Sequence, residues 1–415
     1  MTAVSDHRET RWPQTVEAEG IELVGYNDLD GRPGFKLALH QHSERWYLYL
    51  GHFWHSGWTV VDVTEASQPE TVGFIEGPSN TWTLQVQAAD GFLVTSMEHP
   101  PDGWGFSAEL DSDEGIAVFD VAADPVSPPR LGEFHTGGKG THRNFYDGGR
   151  YAYLAANPAG FHGHILMVVD LSNPTSPTEV SRWWVPGQHI AGGEVPEHDF
   201  YLHGPAYVDG GLAYLGFGGA GMVILDVSDP ARPKRVGGLD LRGFGSVVGC
   251  HSVVPIPGTQ LVAVNSEAIA EDGREPYNYC FLVDVSDPSH PWVVGSVPQP
   301  NPGAGLALHS YFDKGGRFGP HNQHHPQGDL AYAGSDLLVM TYFNAGLRIF
   351  DITEPRAPRE VGWYVAERPV KRLGVLPRDL ETQFEDVLID RRGNIYCTDK
   401  NWGLFVLRAA AIGGD

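Results

Sequence analysis

Apolar residues along this chain come in short runs broken by Pro, Gly and Asp, and no long stretch keeps a helical 3.6-residue rhythm. One phrase keeps returning. It consists of an apolar run, an Asp, one more apolar residue, a Pro-rich turn, and a strand that usually carries Val-Gly or Leu-Gly. It reads WTVVDVTEASQPETVGFI from Trp58, GIAVFDVAADPVSPPRLGEF from Gly115 and ILMVVDLSNPTSPTEVSRW from Ile165. It returns as MVILDVSDPARPKRVGGL from Met222, FLVDVSDPSHPWVVGSV from Phe281 and LRIFDITEPRAPREVGWY from Leu347. The marker aspartates Asp62, Asp120, Asp170, Asp226, Asp284 and Asp351 recur about every 50–60 residues, a period that signals propeller blades when the pattern is all-β.

Each unit parses into four strands. A tight turn such as DGGRYAYLAA (Asp147–Ala156) joins the first two, the marker Asp ends the third, and the fourth carries Val-Gly. The marker Asp, often within SDP, is expected to cap the turn after the third strand through side-chain-to-backbone bonds. The last unit, EDVLIDRRGNIYCTDKNWGLFVLR from Glu385, supplies only three strands, while IELVGYNDL (Ile21–Leu29) matches a fourth strand and has no blade of its own. Pairing the two closes a ring and removes two exposed strand edges. The expectation is an all-β chain forming a single seven-bladed β-propeller, closed by an N-terminal strand that completes the last blade. Residues 1–20 read as a tail and 21–410 as the propeller. Blade limits lie roughly at 35–76, 80–135, 140–185, 200–242, 248–298, 318–366, and 382–410 plus 21–29.

The third-strand segments VVDV, VILDV, FLVDV and RIFDI resemble the repeat that names the LVIVD-repeat β-propeller family, over nearly the whole chain. The resemblance implies the propeller. It implies no chemistry, so function has to be read from the site.

In a propeller the first strand of each blade lines the central channel. Several first strands here begin with histidine: His142 in GTHRNFYDGG, His203 in YLHGPAYVDGG, His251 in VGCHSVVPIPG, and His321 with His324 and His325 in FGPHNQHHPQG. The long insertions, among them 96–114, 185–203, 265–279 and 298–321, fall on the same face as these strand entrances, as loops do when a rigid scaffold builds a binding site. Imidazole is a common neutral metal ligand, and converging strands can bring several nitrogens to one ion. His142, His203, His251 and His321 are therefore the candidate ligands of one transition-metal ion, with Fe, Cu, Zn, Mn and Ni not distinguishable by ligand type. The equivalent places in the other blades hold Gln85, Glu385, and Leu37 beside Lys36. Glu385 is placed to accept the second N–H of a ligating imidazole. Glu385, His324 and Trp54 are the candidate catalytic side chains. Trp54, Trp58, Trp82, Phe145 and Tyr201 suggest an apolar or aromatic small-molecule substrate. Cys250, next to His251, should point away from the axis and pack between blades.

Charge narrows the ligand further. With 28 Lys and Arg against 52 Asp and Glu, the formal net charge is −24, which disfavours nucleic acid and anionic membrane surfaces as partners. The three cysteines are scattered without CxxC spacing, and no apolar run is long enough to span a bilayer, so a reducing cytoplasm is expected. No G-x-S-x-G elbow, P-loop or dinucleotide fingerprint sits in a strand–turn–helix context.

By architecture rather than sequence, a His-lined propeller axis is similar to the carotenoid-cleaving oxygenases, which hold iron with four histidines. It is also similar to the copper-dependent selenium-binding and methanethiol oxidase propellers. The expectation is a metal-dependent enzyme, oxidative chemistry being favoured over a hydrolase or lyase. The alternative is a propeller face that binds a partner without catalysis.

Overall fold

The computed structural model describes residues 11–107 and 109–413. They form seven four-stranded antiparallel sheets arranged as the blades of a closed propeller, and among them helix is limited to short 3₁₀ turns. Blade one runs through Leu37–His42, Arg45–Leu50, Gly57–Asp62 and Glu70–Glu76, and blades two to five repeat this order. Each marker aspartate accepts a backbone N–H just beyond it, as in Asp226 Oδ1 from Ser228 (2.9 Å) and Asp284 Oδ1 from Ser286 (2.8 Å), so the turn-capping expectation holds.

The apolar runs look continuous because every blade is covered on both faces. In blade three, Ala152, Leu154 and Ala156 pack on blade two through Val94, Ile116 and Val118. Tyr153 and Ala155, on the other face, join Leu215 and Val223 of blade four. Seven such clusters fill the seven gaps between blades. Cys250 lies in the gap between blades four and five, beside Tyr214 and Met222.

Glycine recurs in the fourth strand for a steric reason. A Cβ built on Gly73, Gly132, Gly237 or Gly295 would lie 2.8, 2.5, 2.1 or 2.0 Å from a backbone carbonyl oxygen in the marker turn of the next blade. Blade three has Ser181 at this place, and its hydroxyl donates to Pro230 O of blade four (2.6 Å). The strand Ile21–Asn27 pairs with Gly403–Ala409 and completes blade seven, and its Gly25 meets Ala66 O of blade one in the same way. The N-terminal strand thus reproduces the inter-blade contact as well as the sheet pairing.

Two details depart from the sequence expectation. Residues 1–20 read as a tail, yet Thr15–Glu19 pairs with Arg359–Ala366 as the outermost strand of blade six. The first strand of that blade is irregular. His321 N bonds Thr341 O (2.9 Å) and His324 N bonds Val339 O (2.8 Å), but pairing stops at Pro326, which has no N–H to give. Gln327 then leaves the sheet and bonds Leu39 N and Leu37 O of blade one.

Deleting residues 1–30 should leave blade seven open and the protein prone to aggregation, whereas deleting 1–19 should leave a closed ring. A 1–30 deletion that stays soluble and melts like the full chain would refute the closure. Gly237→Ala and Gly295→Ala should each lose about 1–3 kcal/mol by overpacking. Gly243→Ala, with nothing within 4 Å of its added Cβ, should melt unchanged in the same urea and thermal titrations.

Candidate functional site

The innermost strands deliver their side chains to the axis through β-bulges. In blade three the register runs from Thr141↔Ala156 to Asn144↔Leu154, which inserts one residue at His142 and Arg143. Blade five skips from Val248↔Glu267 to Ser252↔Asn265 around His251, and blade seven from Phe384↔Asp399 to Val387↔Cys397 around Glu385 and Asp386. A bulge breaks strict alternation, so two successive residues can both serve the axis. Gly204 and Gly216 let the His251 segment close in, since a Cβ on either would meet His251 O at 2.0 or 2.3 Å.

The histidines form an arc. Ring centroids are 4.8 Å apart for His142–His203, 4.8 Å for His203–His251 and 4.9 Å for His251–His321. His164, from the neighbouring insertion, extends the arc at 5.4 Å from His142.

Two carboxylates organise this arc. Glu98 holds His142 Nδ1 at 2.7 Å and His164 Nε2 at 2.8 Å. Burial opposes its charge, yet His142 and His164 hold its carboxyl well below the usual carboxylate range. Glu267 places Oε2 at 3.0 Å from His203 Nε2 and 3.5 Å from His251 Nε2. Its Oε1 takes Arg317 at 2.9 Å. Burial again works against ionisation, and His321, His251 and His203 overcome it. Burial pushes the His203 imidazole down to about 4, against the pull of Glu267. It also pushes His251 well below its ordinary value, assisted by Arg143. These imidazoles are therefore neutral near pH 7.

Above this floor lies a cavity of about 280 Å³. One wall is aromatic, built from Phe35, Phe53, Trp82 and Trp104, with Tyr201 opposite. The floor presents Glu98, His142, His203, Glu267, Arg143 and Glu385. Apolar walls over a few convergent polar groups are the usual form of a small-molecule site.

Of the four candidate ligands, His203 and His251 form with Glu267 a group whose donor atoms lie within 4.8 Å of one another, and His321 Nε2 stands 3.5 Å from the other oxygen of Glu267. His142 is occupied by Glu98. His321 stacks on Phe343 (4.5 Å), and its Nδ1 lies 3.4 Å from Glu385 Oε2 without a hydrogen bond between them.

His324 is away from the cavity. Its Nε2 contacts Tyr332 O (2.7 Å) and its Nδ1 accepts from Ile389 N (3.2 Å), which ties blade six to blade seven. Trp54 stands behind the wall, stacked on Phe53 and donating to Trp104 O (2.7 Å), and so acts as a support. Trp58 and Phe145 belong to inter-blade cores, while Trp82 and Tyr201 line the cavity. Gln85 is fully buried, with neither amide atom hydrogen-bonded.

Glu98, Glu267, Arg143, Arg317 and His164 were not singled out as site residues from the sequence. A signal existed for the two carboxylates. TSMEH in blade two and NSEAI in blade five put Glu98 three residues past the second strand and Glu267 at its last residue, each where a long insertion begins.

Histidine burial also sets an acid limit. His52 is fully buried between Pro33 O (2.6 Å) and Thr59 Oγ1 (2.7 Å), and burial lowers its pKa to about 3. Its folded pKa lies below the unfolded value of about 6.5, so protons bind the unfolded chain first as pH falls. Stability should therefore decline between about pH 6.5 and 3. The slope should be shallower in His52→Asn, as measured by melting temperature against pH. An identical slope would remove His52 from the cause.

The LVIVD repeat model matches residues 148–184, 207–240 and 277–298, which lie in blades three, four and five. No curated protein matches the sequence significantly. Among solved structures, the β-propeller domain of Cps50 (Swd1) from Myceliophteria thermophila superposes with a TM-score of 0.55 at 10% identity, covering 93% of this chain and 98% of that one. A likeness at that identity speaks to fold alone. No helix among the described residues is long and apolar enough to cross a membrane. Repeat, register and closure agree: the chain is a seven-bladed β-propeller carrying LVIVD repeats.

Proposed function

We propose that the protein is a metal-dependent enzyme acting on a small, largely apolar organic substrate in the cavity at the mouth of the ring, with His203, His251 and Glu267 holding the ion. One observation carries this reading: His203 Nε2, His251 Nε2 and Glu267 Oε2 face one another, and the last two are buried without a hydrogen-bond partner. Orphaned polar atoms at that depth are costly, and a shared cation satisfies them together. The donor set suits one, with two neutral imidazoles and a carboxylate whose other oxygen is already neutralised by Arg317.

Two histidines and a carboxylate with open positions match iron(II) sites that activate dioxygen and hydrolytic zinc sites alike; oxidation is the reading put forward, with hydrolysis as its alternative. The chain's own residues supply the rest. Phe53, Trp82 and Trp104 exclude water and hold an apolar body. Glu98, an ionised carboxylate bonded to two imidazoles, fixes the orientation of His142 and His164 at the cavity floor.

Protein purified without chelators and supplied in turn with Fe, Cu, Zn, Mn and Ni should retain close to one ion per chain of the preferred metal. His203→Ala and His251→Ala should lose most of it, and His324→Ala should keep it. Dioxygen uptake with the iron form, absent with zinc, would separate oxidation from hydrolysis. Wild-type protein holding well under one ion per chain of every metal would overturn the proposal.

A further inference from the structure

Four cationic side chains are buried at or near the cavity, Arg143 and Arg317 lining it, and three of the four are matched. Lys36 pairs with Asp386 (3.1 Å), Arg317 with Glu267 (2.9 Å) and Lys400 with Glu385 (2.6 Å). Arg143 is the exception. It is 2% exposed and lines the cavity, and among the described residues no carboxylate pairs with it. Its guanidinium donates to Asn322 Oδ1 (2.9 Å), lies 3.3 Å from His321 Nε2, and leaves Nε without a partner. The carboxylates that feel it most, Glu267, Asp386 and Glu385, are each engaged by another cation. A guanidinium does not shed its proton to escape burial, so a full positive charge is left in a site that solvent barely reaches.

We infer that the substrate of this cavity carries one carboxylate that pairs with Arg143, and a flat apolar body that lies against Phe53, Trp82 and Trp104. The inference rests on the reading that the cavity takes a small substrate, and it does not require the ion. A single unmatched cation calls for a monoanion. A phosphate dianion would bring a second negative charge among Glu98, Glu267 and Glu385, which the floor does not balance. Planar bidentate pairing is also what a guanidinium offers a carboxylate. The cavity, about 280 Å³, has room for a small aromatic acid.

Phenylacetate is such a molecule, and phenylacetamide is its neutral match in shape. Both can be titrated against the full-length protein by quenching of tryptophan fluorescence and by calorimetry, before and after chelator treatment. The acid should bind at least about tenfold tighter than the amide. Arg143→Met, which removes the guanidinium and keeps an apolar side chain of similar reach, should abolish that preference, and Arg143→Lys should restore part of it. The preference should survive chelation, so that loss of the metal proposal would leave this one standing. Equal binding of acid and amide to wild-type protein, or no binding of either at millimolar concentration, would overturn the inference. So would an unchanged preference in a folded Arg143→Met variant.

Discussion

Everything at the axis depends on one steric contact repeated around the ring. The outer strand of a blade lets the carbonyl of the next blade's marker turn approach to a distance that no side chain permits. Gly73, Gly132, Gly237 and Gly295 make this contact inside the repeat, Ser181 replaces it with a hydrogen bond, and Gly25 makes it across the closure. At the glycine joints the spacing is therefore fixed by backbone against backbone, not by side chains that can change rotamer. The joint from blade six to blade seven lacks this contact, Gly362 having Glu19 O of its own blade as its nearest backbone oxygen at 3.3 Å. Fixed spacing at the rim is fixed convergence at the hub. This is why histidines from blades three to six sit at nearly constant separations although no local sequence relation joins them.

The fold was legible because its signals are local and redundant. The marker aspartates, the Val-Gly strands and the unpartnered IELVGYNDL segment each point to the same ring. The tail strand Thr15–Glu19 was not legible, since TVEAE is mostly polar and its pairing to blade six is set by the edge that Arg359–Ala366 offers it. The site was half legible. Histidines announced the axis, but a period-2 reading of the strands assigned alternate residues to opposite faces and so overlooked Arg143 next to His142. The bulges that bring both to the floor have no signature in composition. The carboxylates were the harder half: Glu98 sits between His142 and His164, and Glu267 between His203 and His251.

Burying so many ionisable groups costs stability, and the architecture tolerates it because seven inter-blade cores are independent of the hub. Pairing limits the cost. Lys400 shows how far the environment presses, since burial first and then Arg317 bring its pKa down to about 8 while Glu385 resists. The aromatic wall over one side of the floor keeps water from screening these pairs, which sharpens every charge difference inside the cavity. A floor of this kind is a poor place for a neutral apolar ligand alone. It suits a molecule with one polar end and one flat apolar end.

A net charge of −24 looks at odds with a monoanionic ligand, but the two act over different distances. Surface charges are screened within about 8 Å at physiological ionic strength, so the acidic exterior slows encounter without reaching the cavity floor at full strength. Inside, Arg143 acts at contact distance and low local dielectric, where a single guanidinium outweighs many distant carboxylates. The same arrangement discriminates by charge. A polyanion meets repulsion at the surface and more strongly from Glu98, Glu267 and Glu385, while a monoanion's single charge can be met by Arg143, which lines the cavity and has no carboxylate partner among the described residues.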